Sequence, residues 1–193
     1  MTENRIDRTL QALKQQGKKA LIPFVTAGHG GYDRTEQLVL QMEKAGADII
    51  ELGVPFSDPI AEGPVIQHAS EQALKQGTTL AGIFELVKRL RKKTDMPLLL
   101  MMYLNTIFSH GTEEFFRTCQ EIGIDGVIVP DMPFEEKDEI QGSADKYHIH
   151  NIYLHPIQSF RLSGKVLWLD TSRHMHHIEH TARLSPDCDS KNT

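Results

Sequence analysis

This 193-residue chain has very little cysteine, present only at Cys119 and Cys188, and no long apolar run. Two cysteines without framework spacing exclude a disulfide-stapled fold and fit a reducing compartment. Lack of an apolar stretch of about 20 residues excludes a membrane-spanning helix, and no secretory leader precedes the first helical pattern. Basic charge is scarce too. Lys and Arg number 21 against 26 Asp and Glu, giving a formal net charge of -5 and a pI near 6.0. That balance offers no basic face to nucleic acid or anionic lipid. The dense basic stretch Lys88-Arg89-Leu90-Arg91-Lys92-Lys93 reads as the C-terminal end of a helix, where cations meet the negative end of the dipole. Together these features predict a cytoplasmic protein with no nucleic-acid or membrane partner.

What is present is βα alternation. At 39% hydrophobic and 24% charged residues, the composition is that of one ordinary globular domain. Ile6, Leu10 and Leu13 recur at helical spacing before a stop at Gly17, which predicts an opening amphipathic helix. Apolar runs then alternate with helical patterns. Strands are predicted over Ala20 to Thr26, Asp48 to Leu52, Pro97 to Tyr103 and Gly126 to Pro130, with a further one near Asn151. Helices are predicted over Asp33 to Ala45, Pro64 to Gln76, Leu80 to Lys92, Thr112 to Ile122 and Glu135 to Lys146. Two joints repeat each other: Gly46-Ala47-Asp48 and Gly123-Ile124-Asp125 each place a helix-stopping glycine two residues before an aspartate and an apolar strand. Short strands that are apolar on both faces predict a parallel sheet covered on both sides. Periodicity alone leaves a closed barrel and an open doubly wound sheet both possible.

The chemistry concentrates in Glu51-Leu52-Gly53-Val54-Pro55-Phe56-Ser57-Asp58-Pro59-Ile60-Ala61-Glu62-Gly63-Pro64. An acid at the carboxyl end of an apolar strand has its charged form disfavoured by desolvation, which raises its pKa toward the range useful for proton transfer. Taken alone, Glu51 is better explained by an ion pair with a neighbouring cation at the barrel rim. Glu62 precedes a helix that opens at Pro64, where a carboxylate also suits the positive dipole end. The loop Gly28-His29-Gly30-Gly31 lacks a Lys-Ser/Thr ending and dinucleotide spacing, so it reads as a flexible βα loop and not a phosphate cradle. His174, His176, His177 and His180 lack the supporting Cys or carboxylate pattern of a zinc site, and no metal is expected.

The run from Glu51 to Pro64 closely resembles the motif of the tryptophan synthase alpha family. The resemblance extends from about Leu21 to about Asn151 through Pro23-Phe24-Val25-Thr26-Ala27-Gly28, Met102-Tyr103-Leu104-Asn105 and Pro130-Asp131-Met132-Pro133. It implies a (β/α)8 TIM barrel and a cofactor-free lyase reaction, the cleavage of indole-3-glycerol phosphate to indole and glyceraldehyde 3-phosphate. Glu51 then matches the family's acid/base glutamate. Glu62 stands where the family more often carries Asp, the carboxylate that holds the substrate's ring N-H. Phe24, Tyr103, Ile128 and Pro130 resemble the apolar walls around the indole, and Asp131 a hydrogen-bonding position. Pro55, Asp58, Pro59, Asn105 and Phe108 match positions used to meet the partner beta subunit; turn chemistry alone also explains the prolines and Asp58.

A complete barrel takes roughly 250 residues, so the expected architecture is an incomplete (β/α)8 barrel of about the first five βα units. Beyond Tyr153 the βα rhythm and the resemblance both stop. Six of the 10 histidines fall in the last 44 residues, a shift expected of a changed reading frame near Tyr153. The resulting division is a partial barrel domain over 1-153 and an aberrant, disordered tail over 154-193. Barrels of this type hold phosphate on their last loops, so weak or absent turnover is expected of the isolated chain. The competing expectation is a non-catalytic fragment that binds the beta subunit.

Overall fold

The structure, a computed structural model, describes residues 4–58, 62–132, 136–154, 167–171 and 174–178. Its elements are α1 (Arg5–Gln15), β1 (Phe24–Thr26), α2 (Tyr32–Lys44), β2 (Ile50–Gly53), α3 (Pro64–Lys75), α4 (Leu80–Arg91) and β3 (Leu98–Met101). They continue with α5 (Leu104–His110), α6 (Thr112–Ile122), β4 (Gly126–Ile128), α7 (Asp138–Lys146), β5 (His150–Leu154), β6 (Leu167–Thr171) and β7 (His174–Ile178). Strands β1 to β5 pair all in parallel, as the alternation predicted, and in chain order, as the barrel implied by the resemblance requires. Within the stretch expected to be an irregular tail, β6 pairs antiparallel with β5 at Tyr153 and Leu154, and β7 pairs antiparallel with β6. The outer edge of β5 is therefore covered at its last two residues. His174, His176 and His177 fall on β7, while His180 lies outside the described residues.

Local chemistry sets the helix ends. Asn4 caps α1 by accepting from the Ile6 N-H at 2.9 Å, and Thr79 caps α4 by accepting from the Gly82 N-H at 3.1 Å, each satisfying a donor the helix leaves orphaned. Pro64 opens α3 at a position that needs no N-H. Gly123 ends α6 in the left-handed conformation at φ 86°, which a side chain would strain. Helix α5 was not anticipated. Its seven residues carry too little periodicity to signal a helix, and its first free N-H, at Leu104, is taken by Asp131 Oδ1 at 3.0 Å.

The sheet buries two distinct faces. Ile50, Leu52, Leu98, Leu100 and Val127 pack with Val39, Leu86, Leu90, Phe115, Phe116 and Cys119 of the covering helices. On the opposite face Ile49, Leu99, Ile128 and Ile152 pack around Ile6, with Leu10, Ile22 and Met101 at the margin. Helix α1 thus closes the end of the sheet where the strands begin, leaving the loops after the strands to form the other end. Strand alternation puts Glu51 on the same face as Ile49, level with Phe24 on one neighbour and Leu99 on the other.

The two repeated joints have the same job. Asp48 Oδ2 accepts from the Leu21 N-H at 2.8 Å while its own N-H donates to Leu21 O at 2.9 Å. Asp125 repeats the exchange with Leu98, at 2.9 Å and 3.0 Å. Asp125 also holds Arg5 Nη1 at 2.9 Å and Arg91 Nη2 at 2.7 Å, tying α1 and α4 to the root of β4. The basic stretch is the end of α4 as expected, yet Arg91 reaches inward to Asp125 and Met96 O, and Arg89 pairs with Glu36 at 2.7 Å. Burial lowers the Arg91 pKa, against the raising effect of Asp125.

Candidate active site

The loops after β1 to β4 surround a cavity lined by Phe24, Gly53, Glu62, Met101, Tyr103 and Pro130, among others. Its volume is about 20 Å³, room for a single water. Four of the expected site residues therefore meet: Phe24, Glu62, Tyr103 and Pro130. The Tyr103 phenol donates to Glu62 Oε2, and the Glu62 carbonyl accepts from Gln67 Nε2 at 2.8 Å. Phe56 lies against the Tyr103 ring, centroids 4.9 Å apart and tilted by 32°.

Glu51 does not itself border the cavity. It sits one rung nearer the floor, two residues before Gly53 on the same face. The Phe24 ring, level with it on β1, leans over Gly53 so closely that a Cβ there would lie 2.5 Å from Phe24 Cε2. Surrounded by apolar neighbours, the Glu51 carboxyl is pushed up by burial from an ordinary 4.5 to about 7. Desolvation is the sole cause, and among the described residues no cation pairs with it. Such a group is close to half protonated at neutral pH and is equally ready to give or take a proton.

The remaining expectations divide. Ile128 is buried in the cluster around Ile6, off the cavity wall. Asp131 is exposed, with one oxygen committed to the α5 N-terminus. Pro55 is buried, whereas Asp58, Asn105 and Phe108 are exposed at the same end as the cavity. Pro59 lies outside the described residues. The Gly28 loop spends its amides internally: Gly28 N donates to Thr35 Oγ1 at 2.9 Å and Gly31 N to Gly28 O at 2.8 Å. Phe56, Thr26, Met101, Ile66 and Ser70 were missed. Thr26, Met101, Ile66 and Ser70 line the cavity, and Phe56 touches it through Tyr103. Alternation along the strands would have signalled Thr26 and Met101. Among the described residues there is no group of three or more His, Cys, Asp or Glu side chains that could hold a metal, and no helix long and apolar enough to cross a membrane.

Residues 10–164 match the family model of the tryptophan synthase alpha chain. The chain belongs to that family. The tryptophan synthase alpha chain of Alkaliphilus metalliredigens is 56% identical over 144 residues, covering 75% of this chain and 54% of the relative. That of Caldanaerobacter subterraneus subsp. tengcongensis is 48% identical over 162 residues, covering 83% and 62%. The chain thus spans somewhat more than half the length of these relatives. Among solved structures, the alpha subunit from Legionella pneumophila str. Paris superposes with a TM-score of 0.79 at 43% identity, covering 82% of this chain and 62% of that one. A chain of the tryptophan synthase complex from Pyrococcus furiosus gives 0.66 at 37% identity, covering 68% and 55%. The five parallel strands and the helices that cover them are accordingly a partial TIM-barrel wall, with the cavity at the end where barrel active sites form.

Proposed function

We propose that this chain carries the lyase chemistry of the tryptophan synthase alpha family, the retro-aldol cleavage of indole-3-glycerol phosphate to indole and glyceraldehyde 3-phosphate in tryptophan biosynthesis. The observation that supports it most is the uncompensated Glu51 carboxyl, held near neutrality one rung below a cavity that has a second carboxylate on its wall. Glu51 in its acid form protonates ring C3, and a carboxylate then takes the proton of the side-chain hydroxyl next to the ring. The C-C bond breaks, its electron pair returns to the ring as indole forms, and the hydroxyl carbon becomes the aldehyde. Glu62 accepts the ring N-H while positive charge develops on the nitrogen. Phe24, Tyr103 and Pro130 supply apolar walls that exclude water. Nothing in these steps calls for a metal or an organic cofactor.

Slow turnover by the isolated chain is part of this reading, since no phosphate-holding residue is identified among the described ones. A second reading is a non-catalytic fragment that docks on the beta subunit, favoured by the exposure of Asp58, Asn105 and Phe108 beside the cavity. Incubating the purified chain with indole-3-glycerol phosphate and the beta subunit separates the two. Indole release that is lost in Glu51→Gln supports the lyase; binding of the beta subunit without release supports the fragment. Release that survives Glu51→Gln overturns the catalytic assignment.

A further inference from the structure

We propose that Tyr103 is a positioning residue for Glu62, and that the pair makes the cavity select an aromatic bicycle bearing an N-H over one without it. The inference rests on the reading of Glu62 as the ring N-H partner. A glutamate half-exposed at a cavity mouth has three side-chain torsions and would ordinarily turn its charge to solvent. Here the Tyr103 phenol donates to Oε2 and keeps the carboxylate on the wall. Among the described residues Oε1 carries no hydrogen bond, so it remains available to a ligand donor.

Tyr103 is built to hold still. The residue is 4% exposed and its ring lies against Phe56. The preceding N-H, at Met102, donates to Ile128 O at 3.0 Å, and the following one, at Leu104, donates to Asp131 at 3.0 Å. Its own carbonyl accepts from the Thr106 N-H at 3.0 Å. Two residues of the connection between β2 and α3 meet Tyr103, Phe56 at the ring and Glu62 at the hydroxyl. A charged hydrogen-bond acceptor held by a rigid donor is what discriminates a ligand N-H from an isostere. Asp131, in this arrangement, acts on the site through the backbone of Tyr103 and α5.

The test is equilibrium binding of two probes to the full chain: indole, and indene, which has CH2 in place of N-H. The parent protein is expected to prefer indole about tenfold, the worth of one hydrogen bond to a charged group. Tyr103→Phe should reduce that preference to about twofold or less while leaving indene affinity unchanged. Glu62→Gln should do the same, and adding Tyr103→Phe to it should change nothing more. Tyr103→His, which restores a donor, should recover part of the preference and serves as the second variant if Tyr103→Phe loses its fold by circular dichroism. A full preference in Tyr103→Phe, or equal weakening of both probes, overturns the positioning role. A parent protein with no preference overturns the reading of Glu62, and this inference with it.

Discussion

Glu51→Gln should stabilise the protein at neutral and alkaline pH while impairing its chemistry. Burial raises the Glu51 carboxyl from 4.5 to about 7, so the folded state holds this proton more tightly than the unfolded chain does. Between pH 4.5 and 7 the folded state therefore carries more bound protons, and stability falls as pH rises through that window. Below it both states are protonated and Glu51 imposes no penalty. Above it the full cost applies, on the order of 3 kcal/mol at 1.36 kcal/mol per pKa unit. Glutamine has nearly the same shape and no charge to desolvate. Urea unfolding of both proteins from pH 4 to pH 9 should give a difference near zero at the acid end, rising to about 3 kcal/mol above pH 7. Other titrating groups cancel in the difference. Curves that stay parallel across the range would refute the claim that Glu51 is buried without compensation. A variant that gains stability while losing function is the usual mark of a strained active-site acid.

Further expectations concern the scaffold and its surface. Asp125→Asn leaves Arg5 and Arg91 facing a neutral amide and should cost about 3 kcal/mol in chemical denaturation; a loss under about 1 kcal/mol would contradict the hub role. Gly53→Ala drives a methyl group into the Phe24 ring, which should lower stability by about 1–3 kcal/mol and weaken indole binding. Phe108→Asp, at a side chain already 45% exposed, should leave the unfolding curve unchanged yet abolish capture by the beta subunit; retained capture removes Phe108 from the interface. Cys119, whose thiol is pushed up by burial, should resist alkylation until the protein unfolds, as mass spectrometry of trapped peptides can show.

The parallel sheet was legible because apolar runs of this length, alternating with helical periods, admit few other arrangements; the strand order was legible only through the family resemblance. Strand ends were overrun: Pro97 to Tyr103 was expected where Leu98–Met101 is observed, since Met102 and Tyr103, past the strand, are apolar to line the cavity. Glu51 stood out because an acid inside an apolar run conflicts with its surroundings, and such conflicts gather at functional sites. The roles of Asp131 and Pro55 were not legible. One caps a helix too short to signal itself, and the other is buried by a loop whose path depends on tertiary packing. Phe56 lay inside the quoted motif, but only the meeting of two loops reveals its contact with Tyr103.

The paired exchanges at Asp48 and Asp125 lie at the entrance of their strands, at the end of the sheet away from the cavity. Alignment of neighbouring strands is thereby decided on the floor, independently of what the rim carries. Evolution or a protein engineer can rewrite the connection from Val54 to Gly63 without letting a strand slide by one residue and turn its side chains inside out. Chemistry and scaffold are separable parts here, joined by two aspartates that never meet a substrate.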